Sequence, residues 1–185
     1  VAAMAGREGR TPQEVAYALM MQRGGRELLY LPLLNYADFD FEPIRAMLEH
    51  PHTVLSLSDG GAHCGLICDA STPTLLLTHW VRDRARGPRI PLETAVRLQT
   101  RNTAEVWGFR DRGTLEIGKR GDLNVIDLDA LALEAPEMVN DLPAGGRRLI
   151  QRVHGYRATL CAGEVTFEGG EPTGARPGRL VRGGA

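Results

Sequence analysis

The chain has 185 residues, which is enough to bury a hydrophobic core and to fold as one or two domains. Its 22 basic and 23 acidic residues leave a net charge of -1, so electrostatics give no reason to expect nucleic acid or an anionic membrane as a partner. No apolar run approaches the roughly 20 residues of a membrane-spanning helix, and the opening VAAMAGREGR lacks the apolar centre of a secretory signal. Three cysteines do not make a disulfide framework, which favours a reducing, cytoplasmic location.

The first predicted element is a helix in TPQEVAYALMMQ, residues 11–22. Thr11 is a typical N-cap, Pro12 suits the first helical position, and Glu14 completes a capping box. Gly24 is expected to end this helix.

Two apolar segments further along have the character of buried strands, ELLYLPLLN (residues 27–35) and TVLSLS (residues 53–58), although Pro32 is unusual in a strand. Between them, DFEPIRAMLEH (residues 40–50) is predicted as a helix. Apolar strands that alternate with helices are typical of parallel α/β architecture, in which functional groups gather at the carboxyl ends of the strands. Asp59 lies at such an end, directly before two glycines that permit a sharp turn.

The rest of the chain changes character at Gly108. Two helical stretches, residues 72–86 and 91–108, are followed by short alternating apolar segments with hairpin turns at IGKRGD and CAGE. We therefore predict a first domain at 1–108 and a β-rich second domain at 109–185, whose Gly- and Pro-rich tail lies extended on the surface.

Two stretches resemble the C-terminal part of the amidohydrolase superfamily, LETAVRLQTRNTAEVWGF (residues 92–109) and RGTLEIGKRGDLNVIDLD (residues 112–129). A closer resemblance, to the N-acyl-D-amino-acid deacylases or D-aminoacylases, rests on LSLSDGGAH (55–63), THWVRDR (78–84), VNDLPAGGRRL (139–149) and TGARPGRLVRG (173–183). Together these motifs extend the resemblance over most of the chain from about residue 30.

The resemblance implies a definite fold and site. Its members have a TIM-like (β/α)8 barrel, a small β-sandwich, and a metal, usually zinc, at the carboxyl mouth of the barrel. An aspartate that ends the eighth strand contacts the metal or its water and moves the proton during amide hydrolysis, and Asp59 matches it. The fold class is then α/β, the last strand and helix units of the barrel followed by part of the sandwich, with TVLSLS as strand eight and ELLYLPLLN as strand seven.

The chemistry explains why an aspartate stands there. Zinc lowers the pKa of bound water towards ~7, and a neighbouring carboxylate can take the water's proton and pass it to the leaving nitrogen. Ser58 and Gly60 come with the motif and are expected to line the substrate site. His63 either orients the substrate, supports a metal ligand or is a plain loop histidine, and the alternative for Asp59 is an Asx-turn.

A complete barrel needs about 250 residues, with ~200 as a lower bound. The resemblance's first-strand His-x-His pair, its bridging Lys, Glu or Cys and its mid-barrel histidines cannot be matched here. We therefore expect a C-terminal portion of a longer enzyme, with one or two zinc ions held mostly by residues outside this chain, and no activity from the 185 residues alone. The HPH at His50 to His52 precedes strand eight, roughly 20 Å from Asp59 at the opposite end, and is better explained as a helix end.

Other residues have competing interpretations. His63, Cys64, Cys68 and His79 could be drawn as a separate zinc site, but their spacing is weak and the cysteines suit small hydrophobic positions. Arg82 and Arg84 either clamp a substrate carboxylate or lie on a solvated helix face. GGRR at 145–148 is a weak candidate for an anion-binding turn.

The resemblance thus implies a zinc-dependent hydrolase of linear amide bonds, acting on a small molecule of the N-acyl-D-amino acid class. One alternative is a cyclic amide hydrolase of the hydantoinase or dihydroorotase type, which DLPAGGRRL disfavours. Another is a non-catalytic interaction module that folds with a partner chain, such as the remaining barrel portion, or as a homo-oligomer, because open barrel strands would expose apolar edges.

Overall fold

The computed structural model describes residues 1–32, 34–36, 38–57 and 59–181, which form two compact units, Val1–Ala46 and Met47–Ala185. The first unit contains α1 (Ala2–Glu8), α2 (Pro12–Met20) and α3 (Gln22–Gly25), and α4 (Glu42–Glu49) runs across the division. None of the helices in these described ranges is long and apolar enough to cross a bilayer.

Helix α2 confirms the first prediction. The Thr11 hydroxyl accepts a hydrogen bond from the Glu14 backbone N–H at 3.3 Å, and the Glu14 carboxylate accepts one from the Thr11 N–H at 2.9 Å. The bond from the Thr11 N–H, and a second one of 2.9 Å from the Thr11 hydroxyl to the same carboxylate, lower the pKa of Glu14. Val15, which is 2 % exposed, is the residue that α2 buries. The helix ends at Met20, slightly before the predicted glycine.

The two strands predicted at residues 27–35 and 53–58 are not found in the described residues of these segments. Residues 27–32 and 34–35 contain no strand, and neither do residues 53–57; residue 58 lies outside the described residues. A strand is stable only when its backbone groups pair with a neighbour, and every strand pairing in the described residues lies after residue 122 and is antiparallel. Without a partner, Tyr30 is 90 % and Leu31 72 % exposed. The parallel barrel predicted from these segments is therefore not confirmed.

The helices of the second unit surround its buried core. A short 3-10 turn (Asp69–Ser71) leads into α5 (Thr72–Leu75), which continues as a π-helical segment (Leu76–Asp83). The predicted helix over 91–108 is instead two helices, α6 (Leu92–Gln99) and α7 (Arg101–Val106), because the backbone at Thr100 leaves helical geometry. The buried apolar residues here include Leu76, Leu77, Trp80, Ile90, Ala95, Leu98 and Leu131.

The strands follow in chain order: β1 (Leu123–Ile126), β2 (Ala132–Leu133), β3 (Glu137–Leu142), β4 (Gly146–Ile150), β5 (Val153–His154), β6 (Tyr156–Cys161), β7 (Glu164–Glu168) and β8 (Glu171–Pro172). They form a four-stranded sheet in the order β1-β6-β7-β8 and two pairs, β2-β5 and β3-β4.

The predicted CAGE hairpin is confirmed between β6 and β7. Cys161 pairs with Glu164, and the two residues between them have positive φ, 53° at Ala162 and 83° at Gly163, as a tight hairpin turn requires. At IGKRGD only a turn is present, with the Lys119 N–H donating to the Glu116 carbonyl, and no strand precedes it in the described residues. The change from helices to strands follows Gly108, while domains 1–108 and 109–185 stay a prediction.

Candidate functional site

The Asp59 loop, which we define as residues 59–68, is built from consecutive turns. The Asp59 carbonyl accepts a hydrogen bond from Ala62 N–H at 2.9 Å, and the His63 carbonyl accepts one from Leu66 N–H at 2.8 Å. The Gly60 N–H donates to the Leu57 carbonyl at 3.2 Å. Backbone bonds therefore give this exposed loop a fixed course without help from its side chains.

Glycine is favoured at the first turn. A Cβ on Gly60 would lie 2.8 Å from Leu57 Cγ, so the Leu57 side chain would have to shift, and 3.1 Å from the Leu57 carbonyl oxygen, which is a tight contact. The next residue, Gly61, has a φ of 94°, which L-residues rarely adopt. The two glycines thus let the chain turn immediately after Asp59, as the sequence predicted.

The Asp59 carboxylate is presented to solvent. Its residue is exposed, and within the described part of the chain no side-chain hydrogen bond or ion pair engages the carboxylate. The Asx-turn alternative needs such a bond to a nearby N–H, so it is not supported. His63 is also exposed and has a φ of 44°. Ser58, the fourth predicted site residue, lies outside the described residues.

These residues do not by themselves assemble a metal site. Among residues 1–32, 34–36, 38–57 and 59–181, no three His, Cys, Asp or Glu side chains are grouped so that they could hold an ion. Asp59 can contribute one oxygen ligand, and stable zinc sites use three or four protein ligands. The separate zinc site considered for His63, Cys64, Cys68 and His79 is therefore not formed. The described residues do not fit a resident zinc unless further ligands come from elsewhere.

Cys68 and His79 have the properties of packed residues. Burial, and then the Asp69 charge, raises the pKa of the Cys68 thiol. Burial, followed by the Arg84 charge, lowers the pKa of His79 against the opposing effect of Asp83. Each shift favours the neutral side chain.

The clamp alternative for Arg82 and Arg84 is not supported, because both side chains are engaged within the chain. Arg82 donates to the Asp83 carboxylate at 2.7 Å and to the Leu128 carbonyl, so it ties the π-helical segment to the chain after β1. Arg84 is 4 % exposed, and its guanidinium lies 4.4 Å from the centre of the Trp80 ring. The solvated-face interpretation is wrong for Arg84, because this residue belongs to the core.

His50 and His52 follow the end of α4, as the helix-end interpretation expects. The His50 ring nitrogen Nδ1 accepts a hydrogen bond from the His52 N–H at 3.2 Å, and the two ring centres are 5.5 Å apart. Both residues are exposed.

The Asp59 loop lies against β4, the second strand of the β3-β4 pair. The Leu149 N–H donates to the Cys64 carbonyl at 2.6 Å, and Arg147 lies next to Gly65, since a Cβ built on this glycine would be 3.8 Å from the Arg147 carbonyl oxygen. Sequence analysis missed this contact, because the loop and GGRR lie about 80 residues apart in the chain. The one available signal was the weak anion-binding character of GGRR itself.

Comparison with known proteins identifies one family. Residues 7–167 match the model of the amidohydrolase family. The match includes the Asp59 loop, β4 and the four-stranded sheet as far as β7. No curated protein and no solved structure matches the chain. Helices combined with antiparallel sheets are compatible with a part of such a hydrolase.

Proposed function

Because the chain belongs to the amidohydrolase family, we propose that it carries the proton-transferring aspartate of an enzyme that hydrolyses the linear amide bond of N-acyl-D-amino acids. Membership itself supports hydrolase activity in general. The observation that carries the finer proposal is the Asp59 carboxylate, exposed and unengaged within the described residues, on a turn that glycines make possible.

In this proposal Asp59 acts as general base and then as general acid. Its carboxylate takes a proton from the attacking water as the oxygen bonds to the amide carbon. When the carbon–nitrogen bond breaks, the same proton passes to the leaving nitrogen, which departs as a neutral amine. The backbone bonds of Ala62 and Gly60 keep the Asp59 turn in place during both transfers.

Zinc belongs to this proposal as the metal that would supply a more acidic water and polarise the amide carbonyl. Asp59 would be one ligand, and the others would come from residues outside the described part of this chain. Gly60 and His63 are proposed to border the substrate, together with Ser58. The free thiols of Cys64, Cys68 and Cys161 agree with the proposed reducing, cytoplasmic location.

The test is a turnover assay on the protein as its natural gene encodes it, purified with its metal content and intact mass recorded. We expect hydrolysis of N-acyl-D-amino acids, with less activity on the L enantiomers and on cyclic ureides. Asp59→Asn should lower turnover at least ~100-fold because it removes the proton carrier. Asp38→Asn is the matched control, since Asp38 is also exposed and unengaged in the described residues. Equal activity of wild type and Asp59→Asn would refute the assignment.

A second candidate function is an interaction module, and exposed apolar side chains favour it. Tyr30, Leu31 and Leu34 are 90 %, 72 % and 81 % exposed in one short segment of the first unit. Surface of this kind is typical of a region that pairs with a partner chain or a second copy. Light scattering separates the candidates, because a monomer with a cooperative melt contradicts the interaction module.

A further inference from the structure

The contact between the Asp59 loop and β4 places an arginine beside the candidate site. The Leu149 N–H to Cys64 carbonyl bond of 2.6 Å anchors the loop on the strand. Two residues earlier on β4, Arg147 lies next to Gly65, with its carbonyl oxygen, Cγ and Nε 3.8, 3.9 and 4.0 Å from the position that a Gly65 Cβ would occupy. Both segments belong to the unit Met47–Ala185, so this arrangement lies within one compact body.

The two arginines of GGRR differ in their partners. Arg148 forms a two-point ion pair with Asp141, at 2.8 Å from Nε and 2.6 Å from Nη2. This pairing lowers the pKa of Asp141. Arg147 is exposed, and among the described residues its guanidinium takes part in no ion pair or side-chain hydrogen bond. Arg147 is therefore available to an anion, whereas Arg148 is already neutralised.

We propose that Arg147 binds a carboxylate of the substrate at the edge of the Asp59 loop. An arginine presents a planar fork of N–H donors that matches both oxygens of a carboxylate. The arginines that the sequence suggested for this role, Arg82 and Arg84, are engaged with Asp83 and Trp80 instead. This inference rests on the proposed function, because a neutral amide substrate would have no use for Arg147.

An amino-acid derivative has the chemical groups that this proposal requires. In an N-acyl amino acid, the carboxylate is separated from the scissile carbonyl by only the nitrogen and the α-carbon. Asp59 and Gly65 lie in the same run of turns, with the proton carrier at its start and the Arg147 contact near its end. A cation at one end of the loop and a proton carrier at the other would fix such a molecule at two points, which lowers the entropic barrier of the reaction.

The experiment uses the protein from its natural gene and two substrates, N-acetyl-D-alanine and its carboxamide. We expect Arg147→Gln to lower kcat/KM for the carboxylate about 10- to 100-fold, mainly through KM, because a charge-assisted pair is lost. The kcat/KM for the carboxamide should change less than about threefold. Arg147→Lys should recover part of the activity, since it restores the charge but not the fork. The control is Arg97→Gln on α6, where an exposed arginine has no side-chain partner among the described residues, and it should leave kcat/KM for both substrates unchanged.

Further substrates identify which carboxylate is bound. With N-acetyl-D-glutamate and its α-carboxamide, retention of the Arg147→Gln defect on the α-carboxamide would indicate the side-chain carboxylate. Loss of the defect would indicate the α-carboxylate. An equal fall for charged and neutral substrates, or no fall at all, would overturn the proposal that Arg147 selects the anion.

A binding measurement separates this inference from the proposed function. If the wild type hydrolyses none of these compounds, NMR titration with acetate and with N-acetyl-D-alanine still tests the site. A saturable shift of the Arg147 Nε–H in the wild type, together with a saturable shift of the Gly65 amide that disappears in Arg147→Gln, supports anion binding even where the proposed reaction fails. The absence of any saturable shift overturns the Arg147 proposal.

Discussion

The Asp59 loop and the segment around Asp122 present their carboxylates in opposite ways. Asp122 accepts hydrogen bonds from the Ala162 N–H at 2.8 Å, from Arg120 at 2.9 Å and from Arg112 at 3.2 Å. Asp59 has no such side-chain contact in the described residues, and only its backbone is engaged. The Asp122 carboxylate holds the β-rich part of the chain together, whereas the Asp59 carboxylate is exposed to solvent and makes no side-chain contact with the described residues.

Among the substitutions considered for the β-rich part of the chain, Gly155→Ala is expected to destabilise it most. Gly155 joins β5 to β6 with a φ of 94°, and a Cβ there would lie 2.6 Å from the Cα of buried Leu131. Gly155→Ala should therefore lower the free energy of unfolding by about 3 kcal/mol, because backbone strain and a backbone clash add. Urea unfolding followed by circular dichroism measures this value.

Gly163→Ala is the control for Gly155→Ala. Gly163 also has a positive φ, 83°, but a Cβ there would meet nothing within 4 Å. Gly163→Ala should therefore lower the free energy of unfolding by only about 1–2 kcal/mol, which is the strain of the left-handed conformation alone. If the two variants were equally destabilised, the close approach to Leu131 would have no energetic role.

Asp122→Asn tests the ion pairs around the β-rich segment. Burial raises the pKa of Asp122, but the hydrogen bonds from Ala162 and Arg120 more than offset this effect, so the pKa lies below its ordinary value. A lowered native pKa gives stability that is present above the unfolded pKa and is lost as pH falls through the native pKa. We expect the variant to be about 1–2 kcal/mol less stable at pH 7, and the two proteins to converge in acid. If the stabilities of the wild type and Asp122→Asn changed in parallel with pH, the ion pairs of Asp122 would not contribute to stability.

The sequence predicted elements well where the signal was local. The capping box of Thr11 and Glu14 fixed the start of α2, and the small residues after Cys161 fixed the β6-β7 turn, because in both cases the interacting residues are neighbours in the chain. The glycines after Asp59 were read correctly for the same reason. The stretches at 92–109 and 112–129 suggested the amidohydrolase superfamily, and the match of residues 7–167 to the amidohydrolase family supports that conclusion.

The sequence failed where the outcome depends on distant partners. ELLYLPLLN and TVLSLS have strand-like composition, but no local pattern states whether a neighbouring strand is present to pair with them. The position of Arg147 next to Gly65 was not predicted, because the two residues lie far apart in the chain. Arg84 was misplaced for a related reason, since its burial over Trp80 depends on tertiary packing.

The smallest expected effect is the most informative one for Asp59. Because the carboxylate is exposed and forms no side-chain contact in the described residues, Asp59→Asn should change the free energy of unfolding by less than about 0.5 kcal/mol. The same variant should lose at least ~100-fold in turnover in the protein from its natural gene. The described residues give the Asp59 carboxylate no stabilising contact, while the proposed reaction depends on it, so stability and activity are expected to separate here. Thermal melts of wild type, Asp59→Asn and Asp122→Asn at pH 7 decide the point. If Asp59→Asn destabilised the fold as much as Asp122→Asn, the carboxylate would have a structural partner, and its assignment as the proton carrier would lose its support.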